Sequence, residues 1–184
     1  MPAPFVPPCR ECSGVSVVAG RHLVLVGLMG SGKTTVGRVL AQRLRRELLD
    51  SDAMIEAREG RTVRDIFREE GEDAFRRIET EVLSEALAAE DKAVIAAAGG
   101  VVLRPENRAA LRSSGARVVW LRADPTTLVE RVKGGAHRPL LDDDPEGTLR
   151  TMYEQRAELY REVADAIVTV DNRSVSDVVE AVLR

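Results

Sequence analysis

The segment GLMGSGKT, residues 27–34, constrains the fold more than any other part of the chain. It matches the pattern G-x-x-x-x-G-K-[ST], in which glycines allow close backbone approach and successive N–H groups cradle phosphate oxygens. The apolar run HLVLVG precedes it, and a helical pattern from residue 33 to about 46 follows it. Since strand, loop and helix come in the required order, the segment predicts a nucleoside triphosphate site. Lys33 would reach the β- and γ-phosphates, and the Thr34 hydroxyl would join a Mg²⁺ shell.

Strands and helices alternate along the rest of the chain. Apolar runs predict strands over residues 22–27, 48–50, 93–98, 116–123 and 166–171. Helical periodicity and capping signals predict helices over residues 53–60, 62–71, 72–90, 105–115, 124–135 and 174–184. Such alternation favours an α/β fold in which helices cover both faces of a parallel sheet, in three layers. We expect a single domain over residues 21–184, after a poorly ordered extension over residues 1–20.

Two acids, Asp50 and Asp52, directly follow the second predicted strand. In an extended backbone, residues i and i+2 point to the same side, so we expect both carboxylates to lean together where the strand ends. Ligands of open α/β sheets bind at this edge. One carboxylate could hold Mg²⁺ or its waters while the other accepts a hydroxyl proton, and a nearby cation would relieve their repulsion. A loop acid pair, or a helix N-cap at Asp52, is the alternative interpretation.

Composition narrows the class of protein. The 184 residues are 44% apolar and 31% charged with a net charge of −3, which indicates one globular domain without the basic excess of a nucleic-acid-binding protein. No apolar run approaches the ~20 residues of a membrane span, and the N-terminus lacks a signal-peptide pattern, so we expect a cytoplasmic protein. The only cysteines, Cys9 and Cys12, form a CxxC without the further ligands of a structural zinc site.

Water, a protein side chain or a small metabolite could accept the terminal phosphoryl group of the bound nucleotide. The chain has no N/T-K-x-D segment for reading guanine, and no recognisable oligomerisation or arginine-finger elements of an AAA-type motor. A small P-loop kinase remains, in which an acceptor hydroxyl must be bound, deprotonated and shielded from water.

Six segments, in their order and spacing, resemble the shikimate kinases from about residue 23 to the C-terminus. They are GLMGSGKTTVGRVLA, LLDSD, GEDAFRRIE, AAAGG, HRPLL and RAELYREVAD. The resemblance implies a five-stranded parallel sheet of the nucleoside monophosphate kinase type, a shikimate-binding helical region at about 52–90 and a mobile lid at about 133–148. It also implies that ATP phosphorylates the 3-hydroxyl of shikimate, a step toward chorismate and the aromatic amino acids. We expect a monomer whose partners are shikimate and ATP.

The resemblance also assigns roles to individual residues. Asp50 would hold Mg²⁺ through water together with Thr34, and Asp52 would bind the shikimate hydroxyls and act as the base. The residues implied in catalysis are Asp52, Lys33 and Arg138. Those implied in nucleotide binding are Gly30, Ser31, Gly32, Lys33, Thr34, Thr35, Arg131, Arg138 and Arg173. Those implied in shikimate binding are Asp52, Arg76, Gly99, Gly100 and Arg156, with Glu79 as a partner of Arg76.

Elementary chemistry supports the arginines but leaves alternatives open. A carboxylate substrate suits two planar guanidinium groups from different segments, and the charge on a transferring phosphoryl group suits Lys33, Arg138 and Mg²⁺ together. Arg76 and Glu79 are also spaced i, i+3, so they could form an exposed ion pair worth only a few tenths of a kcal/mol. Arg131 and Arg173 could be plain surface residues, and the segment around Arg138 could be an ordinary surface loop.

One residue departs from the family pattern. Three successive glycines usually follow the third strand, but this chain has Ala98 before Gly99 and Gly100. Glycine would be needed there only for a positive φ or to avoid a clash with a ligand. Alanine could therefore be accommodated, or the acceptor pocket could be slightly altered. Two other hypotheses stay open: a related small-molecule kinase, such as one acting on gluconate, and a nucleotide-binding module that has lost turnover.

Overall fold

The computed structural model describes residues 21–133 and 144–184. Three features of the sequence analysis lie outside these residues: the extension with Cys9 and Cys12, most of the predicted lid, and Arg138. Within the described residues, no helix is both long enough and apolar enough to cross a membrane.

The described residues contain one sheet of five strands, as the resemblance implied. The strands are β1 (Leu23–Val26), β2 (Leu48–Asp50), β3 (Val94–Ala96), β4 (Arg117–Arg122) and β5 (Ala166–Thr169). Their order is β2-β3-β1-β4-β5, and every neighbouring pair is parallel. Strand β1 lies at the centre and all four of its residues are buried, because sheet neighbours cover its edges and helices cover its faces.

The helices lie on both faces of the sheet. They are α1 (Lys33–Leu44), α2 (Ser51–Glu59), α3 (Val63–Ala88), α4 (Pro105–Ser113), α5 (Pro125–Lys133), α6 (Pro145–Val163) and α7 (Val175–Leu183). The crossover from β1 to β2 runs in one direction along the sheet and the later crossovers run in the other. Right-handed crossovers of opposite direction place their helices on opposite faces. Accordingly α1 contacts α7, while α4 contacts both α3 and α6. The predicted three-layer α/β fold is confirmed.

Helix α3 consists of two helical segments that meet at Gly71. The backbone of Gly71 has φ 82° and ψ 175°, a conformation that glycine adopts without the steric cost of a side chain. The sequence predicted two helices with a boundary between residues 71 and 72, in agreement with this break. A small apolar cluster of Ile55, Ile66, Phe75 and Val82 packs α2 against both segments.

Helix α6 is the element that the sequence analysis did not predict. Its buried residues, Leu149, Met152, Arg156, Tyr160 and Val163, recur every three or four positions, which is the pattern of one helix face. A buried arginine in the middle of this face weakens the hydrophobic signal. Because α6 begins at Pro145, residues 145–148 of the predicted lid region are helical.

Candidate active site

A cavity of about 920 Å³ opens where the sheet strands end. It is lined by every predicted site residue that falls within the described residues: Gly30, Ser31, Gly32, Lys33, Thr34, Thr35, Asp50, Asp52, Arg76, Gly99, Gly100, Arg131, Arg156 and Arg173. These residues come from seven segments of the chain, and the parallel topology brings the segments to one edge of the sheet.

The loop before α1 forms the nucleotide-facing wall of the cavity. Its glycines Gly27, Gly30 and Gly32 have φ values of 143°, 80° and 89°, which favour glycine. At Gly27 there is also no room, since an added Cβ would lie 2.6 Å from the Leu121 carbonyl oxygen. The loop leads into the N-terminus of α1, where unpaired N–H groups and the helix dipole favour anions. The Lys33 Nζ donates to the carbonyl oxygens of Gly27 and Leu28, at 2.9 and 3.1 Å.

Thr34 and Asp50 meet at the base of this wall. The Thr34 hydroxyl donates to Oδ2 of Asp50 at 2.6 Å. The other carboxylate oxygen of Asp50 accepts from the backbone N–H groups of Asp52 and Ala53, so Asp50 is the N-cap of α2. The same-side argument from an extended backbone was wrong, because the helix begins at Ser51. Asp52 was also not the cap; it lies in the first helical turn.

The Thr34 and Asp50 oxygens suit Mg²⁺ better than a metal that needs a full protein cage. Mg²⁺ is held by few protein oxygens and keeps several waters or phosphate oxygens. Within residues 21–133 and 144–184, no group of three or more His, Cys, Asp or Glu side chains could hold a metal ion, so a structural transition-metal centre is not formed there.

Arg76 and Glu79 form a buried ion pair beside the cavity, so the alternative of an exposed pair was wrong. Arg76 is 6% exposed and Glu79 is 1% exposed. The Arg76 Nη1 donates to both carboxylate oxygens of Glu79, at 2.9 and 3.0 Å. Its Nε and Nη2 donate to Glu72 at 3.2 and 2.9 Å. The guanidinium also lies over the Phe75 ring, 5.3 Å from its centre.

Burial dominates the electrostatics of the Glu79 carboxyl, whereas the carboxylate partners of Arg76 raise the pKa of its guanidinium despite its burial. Burial raises the pKa of the Glu79 carboxyl above its usual range, although the Arg76 guanidinium acts in the opposite direction. Asp52 adds a smaller raising effect and Arg156 a smaller lowering one. Glu79 therefore lies within the electrostatic reach of both arginines and of the acid predicted to be the base.

Gly100 is required by the position of Arg76 rather than by its own backbone angles. Its φ is −93°, but an added Cβ would lie 1.7 Å from Nη1 of Arg76. Ala98 has no such constraint. Arg45 and Asn172 are the non-glycine residues with positive φ in the described part of the chain, so the Ala98 backbone does not call for glycine. The departure from three glycines is compatible with this fold.

Arg156 approaches the cavity from α6. Its side chain is 6% exposed, and its Nη1 donates to the Gly99 carbonyl oxygen at 3.3 Å. Its Nε is buried without a hydrogen-bond partner in the described residues. Arg76 and Arg156 thus flank the Gly99–Gly100 backbone from different elements, as expected of two groups that bind one carboxylate.

Arg131 and Arg173 lie at the far side of the phosphate loop. Arg131 donates to the carbonyl oxygens of Val170 and Gly30 at 3.0 and 3.4 Å, and Arg173 donates to that of Thr169 at 3.4 Å. Val170, Val175 and Val178 line the cavity beside them. Apolar side chains next to guanidinium planes suit a flat aromatic base.

The cavity-lining side chains that the sequence analysis missed as site residues include Glu56, Arg64 and Phe67. These three lie in α2 and in the first segment of α3, within the predicted substrate-binding region. Glu56 lies one turn after Asp52 on α2, so its spacing could have indicated it. The spacing of Arg64 and Phe67 alone indicates only an amphipathic helix. The approach of Arg64 and Phe67 to Asp52 arises from the packing of α2 on α3, which is a tertiary feature.

Known proteins resemble this chain over nearly its whole length. The family model for shikimate kinase matches residues 29–184. The shikimate kinase of Symbiobacterium thermophilum is 53% identical over 165 residues, which cover 88% of this chain and 94% of that protein. That of Burkholderia lata is 48% identical over 163 residues, or 88% of each chain. A solved structure, shikimate kinase from Acinetobacter baumannii in complex with shikimate, has a TM-score of 0.86 at 38% identity and covers 92% of this chain and 94% of that one.

Proposed function

The chain belongs to the shikimate kinase family, and we therefore propose that it transfers the terminal phosphoryl group of ATP to the 3-hydroxyl of shikimate. The products are shikimate 3-phosphate and ADP, in the route to chorismate and the aromatic amino acids. One observation carries the proposal. A single cavity has a phosphate-binding loop on one wall and two buried arginines on another, with the acid pair between them.

On the nucleotide side, the loop N–H groups and the α1 N-terminus would bind the phosphates. Lys33 would exchange its loop carbonyl partners for phosphate oxygens, and Arg131 and Arg173 would pack against the base. Mg²⁺ would be held by Asp50 and Thr34, where a hydroxyl and a carboxylate oxygen already lie 2.6 Å apart. When bound, the ion neutralises charge on the β- and γ-phosphates.

On the acceptor side, Arg76 and Arg156 would bind the shikimate carboxylate and so orient the ring. Glu79 fixes the Arg76 guanidinium, and Gly100 leaves the space that this guanidinium occupies. Asp52 would accept the proton of the attacking hydroxyl. The role of Arg138 in stabilising the transferring phosphoryl group is a proposal that rests on the HRPLL motif alone.

We further propose that one chain is sufficient for activity. The support is that the predicted site residues in the described part of the chain all line one cavity of a single chain. Light scattering coupled to size-exclusion chromatography, run at the protein concentration of the activity assay, tests for a monomer. A cytoplasmic location stays a prediction, which the dependence of the reaction on ATP supports.

An ADP-release assay with shikimate, quinate and gluconate tests the function. We expect turnover with shikimate and at most weak turnover with gluconate, which lacks the ring. Turnover with gluconate alone would favour a gluconate-type kinase. Saturable ATP binding without turnover of any of the three would favour a nucleotide-binding module instead.

The Asp52→Asn variant tests the proposed base. We expect kcat to fall by ~10²-fold or more, because a general base contributes on this scale. The dissociation constant for ATP should stay within about twofold, since the phosphate loop is untouched. Wild-type turnover by this variant would remove Asp52 from the mechanism.

A further inference from the structure

Tyr160 contacts the acceptor wall of the cavity without lining it. It lies on α6, one turn after Arg156, and is 1% exposed. Its hydroxyl donates to the Gly99 carbonyl oxygen at 2.5 Å. Its ring stacks on Trp120 of β4, with the ring centres 5.5 Å apart and the planes inclined by 26°. A buried, stacked ring holds its hydroxyl in one place, so this hydrogen bond is a fixed feature of the fold.

The same carbonyl oxygen also accepts from Arg156. The Arg156 Nη1 lies 3.3 Å away, a longer contact than that of Tyr160. A carbonyl oxygen has two lone pairs and can accept both bonds, so the Tyr160 hydroxyl is a second anchor of this carbonyl. The next residue is Gly100, which has no space for a Cβ beside Arg76. One buried hydroxyl therefore helps to fix the peptide that separates the two arginines.

The Tyr160 hydroxyl keeps its proton and therefore remains a hydrogen-bond donor. Burial raises the pKa of Tyr160, with Arg156 acting in the opposite direction, so the phenol stays protonated throughout the physiological range. A buried hydroxyl without a partner would be costly, and the Gly99 carbonyl oxygen satisfies it.

We propose that Tyr160 is a positioning residue for the acceptor: by sharing the Gly99 carbonyl with Arg156, it weakens the hold of that carbonyl on the Arg156 guanidinium, which can then bind the acceptor carboxylate. Without the hydroxyl, this carbonyl would keep Arg156 as its donor, and the guanidinium would be drawn away from the cavity. The identity of the acceptor rests on the proposed function, whereas the contact does not. The effect should be confined to acceptor binding, because Gly99 and Arg156 lie on the acceptor side.

The Tyr160→Phe variant tests this inference, with Tyr153→Phe as the matched control. Tyr153 lies on the same helix with its ring 6.4 Å from that of Trp120, and it is not among the donors to Gly99 in the described residues. Both changes keep the ring, so near-ultraviolet circular dichroism should show folded proteins. We expect Tyr160→Phe to raise KM for shikimate about 5- to 10-fold, the scale of one lost hydrogen bond, with KM for ATP within about twofold. Tyr153→Phe should change neither constant.

A double-mutant cycle with Arg156→Lys separates positioning from general loosening. If Tyr160 acts through Arg156, removing the hydroxyl from a chain that already carries Arg156→Lys should change KM for shikimate by less than about twofold. An equal effect with and without Arg156→Lys, or an unchanged KM in Tyr160→Phe alone, would overturn the inference.

Amide hydrogen exchange tests the contact between Tyr160 and Gly99 independently of catalysis. The N–H groups of Val101 and Leu103 donate to Ala98 and Gly100 in the turn after Gly99. Their exchange should be about 5- to 10-fold faster in Tyr160→Phe than in Tyr153→Phe, because the anchor of the turn is lost. If wild type does not turn over shikimate, the proposed function fails. In that case the exchange rates alone test the role of the Tyr160 hydroxyl, and equal rates in the two variants overturn the inference.

Discussion

The two halves of the cavity are constructed differently. The nucleotide half consists mainly of the backbone of one short loop and the start of the helix that follows it. The acceptor half consists of charged side chains from α2, α3 and α6, two of which form an ion pair that is almost fully buried. Backbone N–H groups can bind any polyphosphate, whereas buried arginines held by a carboxylate suit one shape and one charge. The specific half of the site is therefore also the half that depends on tertiary packing.

The largest effect is expected from Gly100→Ala, which disturbs only the acceptor half of the cavity. The added methyl would overlap Arg76 Nη1, so the guanidinium must move by an ångström or more. We expect kcat/KM for shikimate to fall ~10²-fold, the usual scale of such misplacement, with ATP affinity unchanged by equilibrium dialysis. Gly60→Ala is the control: no atom lies within 4 Å of its added Cβ, and the strain from its φ of 64° falls on the end of α2 and not on Arg76. Equal losses of kcat/KM in both variants would contradict the assignment.

Glu79→Gln should have the next largest effect, on both stability and acceptor binding. Removing the buried charge of Glu79 leaves Arg76 with the more exposed Glu72 as its carboxylate partner, so we expect the free energy of unfolding to fall by about 2 kcal/mol in urea titrations. KM for shikimate should rise by about tenfold while ATP affinity holds.

Glu81→Gln is the matched control on the same helix. Glu81 pairs with Arg58 at the surface, where the two side chains are 55% and 40% exposed. Such pairs contribute about 0–1 kcal/mol. A loss for Glu79→Gln no greater than that for Glu81→Gln would show that burial does not set the strength of the Arg76 pair.

Arg131→Ala probes the nucleotide half and should have a moderate effect. Stacking of a guanidinium on an aromatic ring is worth ~1 kcal/mol, so we expect KM for ATP to rise about fivefold and KM for shikimate to stay within about twofold. Arg43→Ala, which removes a surface partner of Glu180, serves as the control. A larger change in KM for shikimate than for ATP would contradict the assignment of Arg131 to the nucleotide half.

His22 lies before β1, at the end of the sheet opposite the cavity. A substitution there tests the pH dependence of stability separately from catalysis. Its Nδ1 accepts from the Ala93 N–H at 3.1 Å. Burial lowers the pKa of His22, assisted by Lys92 and Arg46. Below the unfolded pKa of about 6.5, the unfolded chain therefore binds more protons than the folded one. As the pH is lowered from about 6.5, the free energy of unfolding should therefore decrease, by at most ~1.4 kcal/mol per pH unit, until the pH is below the folded pKa of His22.

The His22→Asn variant should flatten this fall below pH 6.5, since its amide oxygen can accept the same hydrogen bond without titrating. Urea titrations between pH 5 and 8 measure the slope. Turnover per folded molecule should not change, because His22 contacts neither half of the cavity. An identical slope in the wild type and the variant would assign the acid sensitivity to other groups.

Much of the nucleotide half was predictable from sequence, because its geometry is local. The loop glycines, Lys33 and Thr34 follow one another, and the strand and helix around them have clear periodic patterns. The strand–helix alternation likewise predicted the parallel sheet. The acceptor half was less accessible to such reasoning. The roles of Arg76 and Arg156 came from a resemblance, and the spacing of Arg76 and Glu79 allowed an exposed ion pair that the structure does not support.

The sequence by itself determined the α/β class, the phosphate loop and the identity of the charged residues, because short-range periodicity and a contiguous motif carry that information. The tertiary structure decided which charges are buried, and that α6 brings Arg156 and Tyr160 to Gly99. The physical reason is the range of the interactions. A cap or loop depends on neighbours in sequence, whereas the desolvation of Arg76 and Glu79 depends on every element that packs around them.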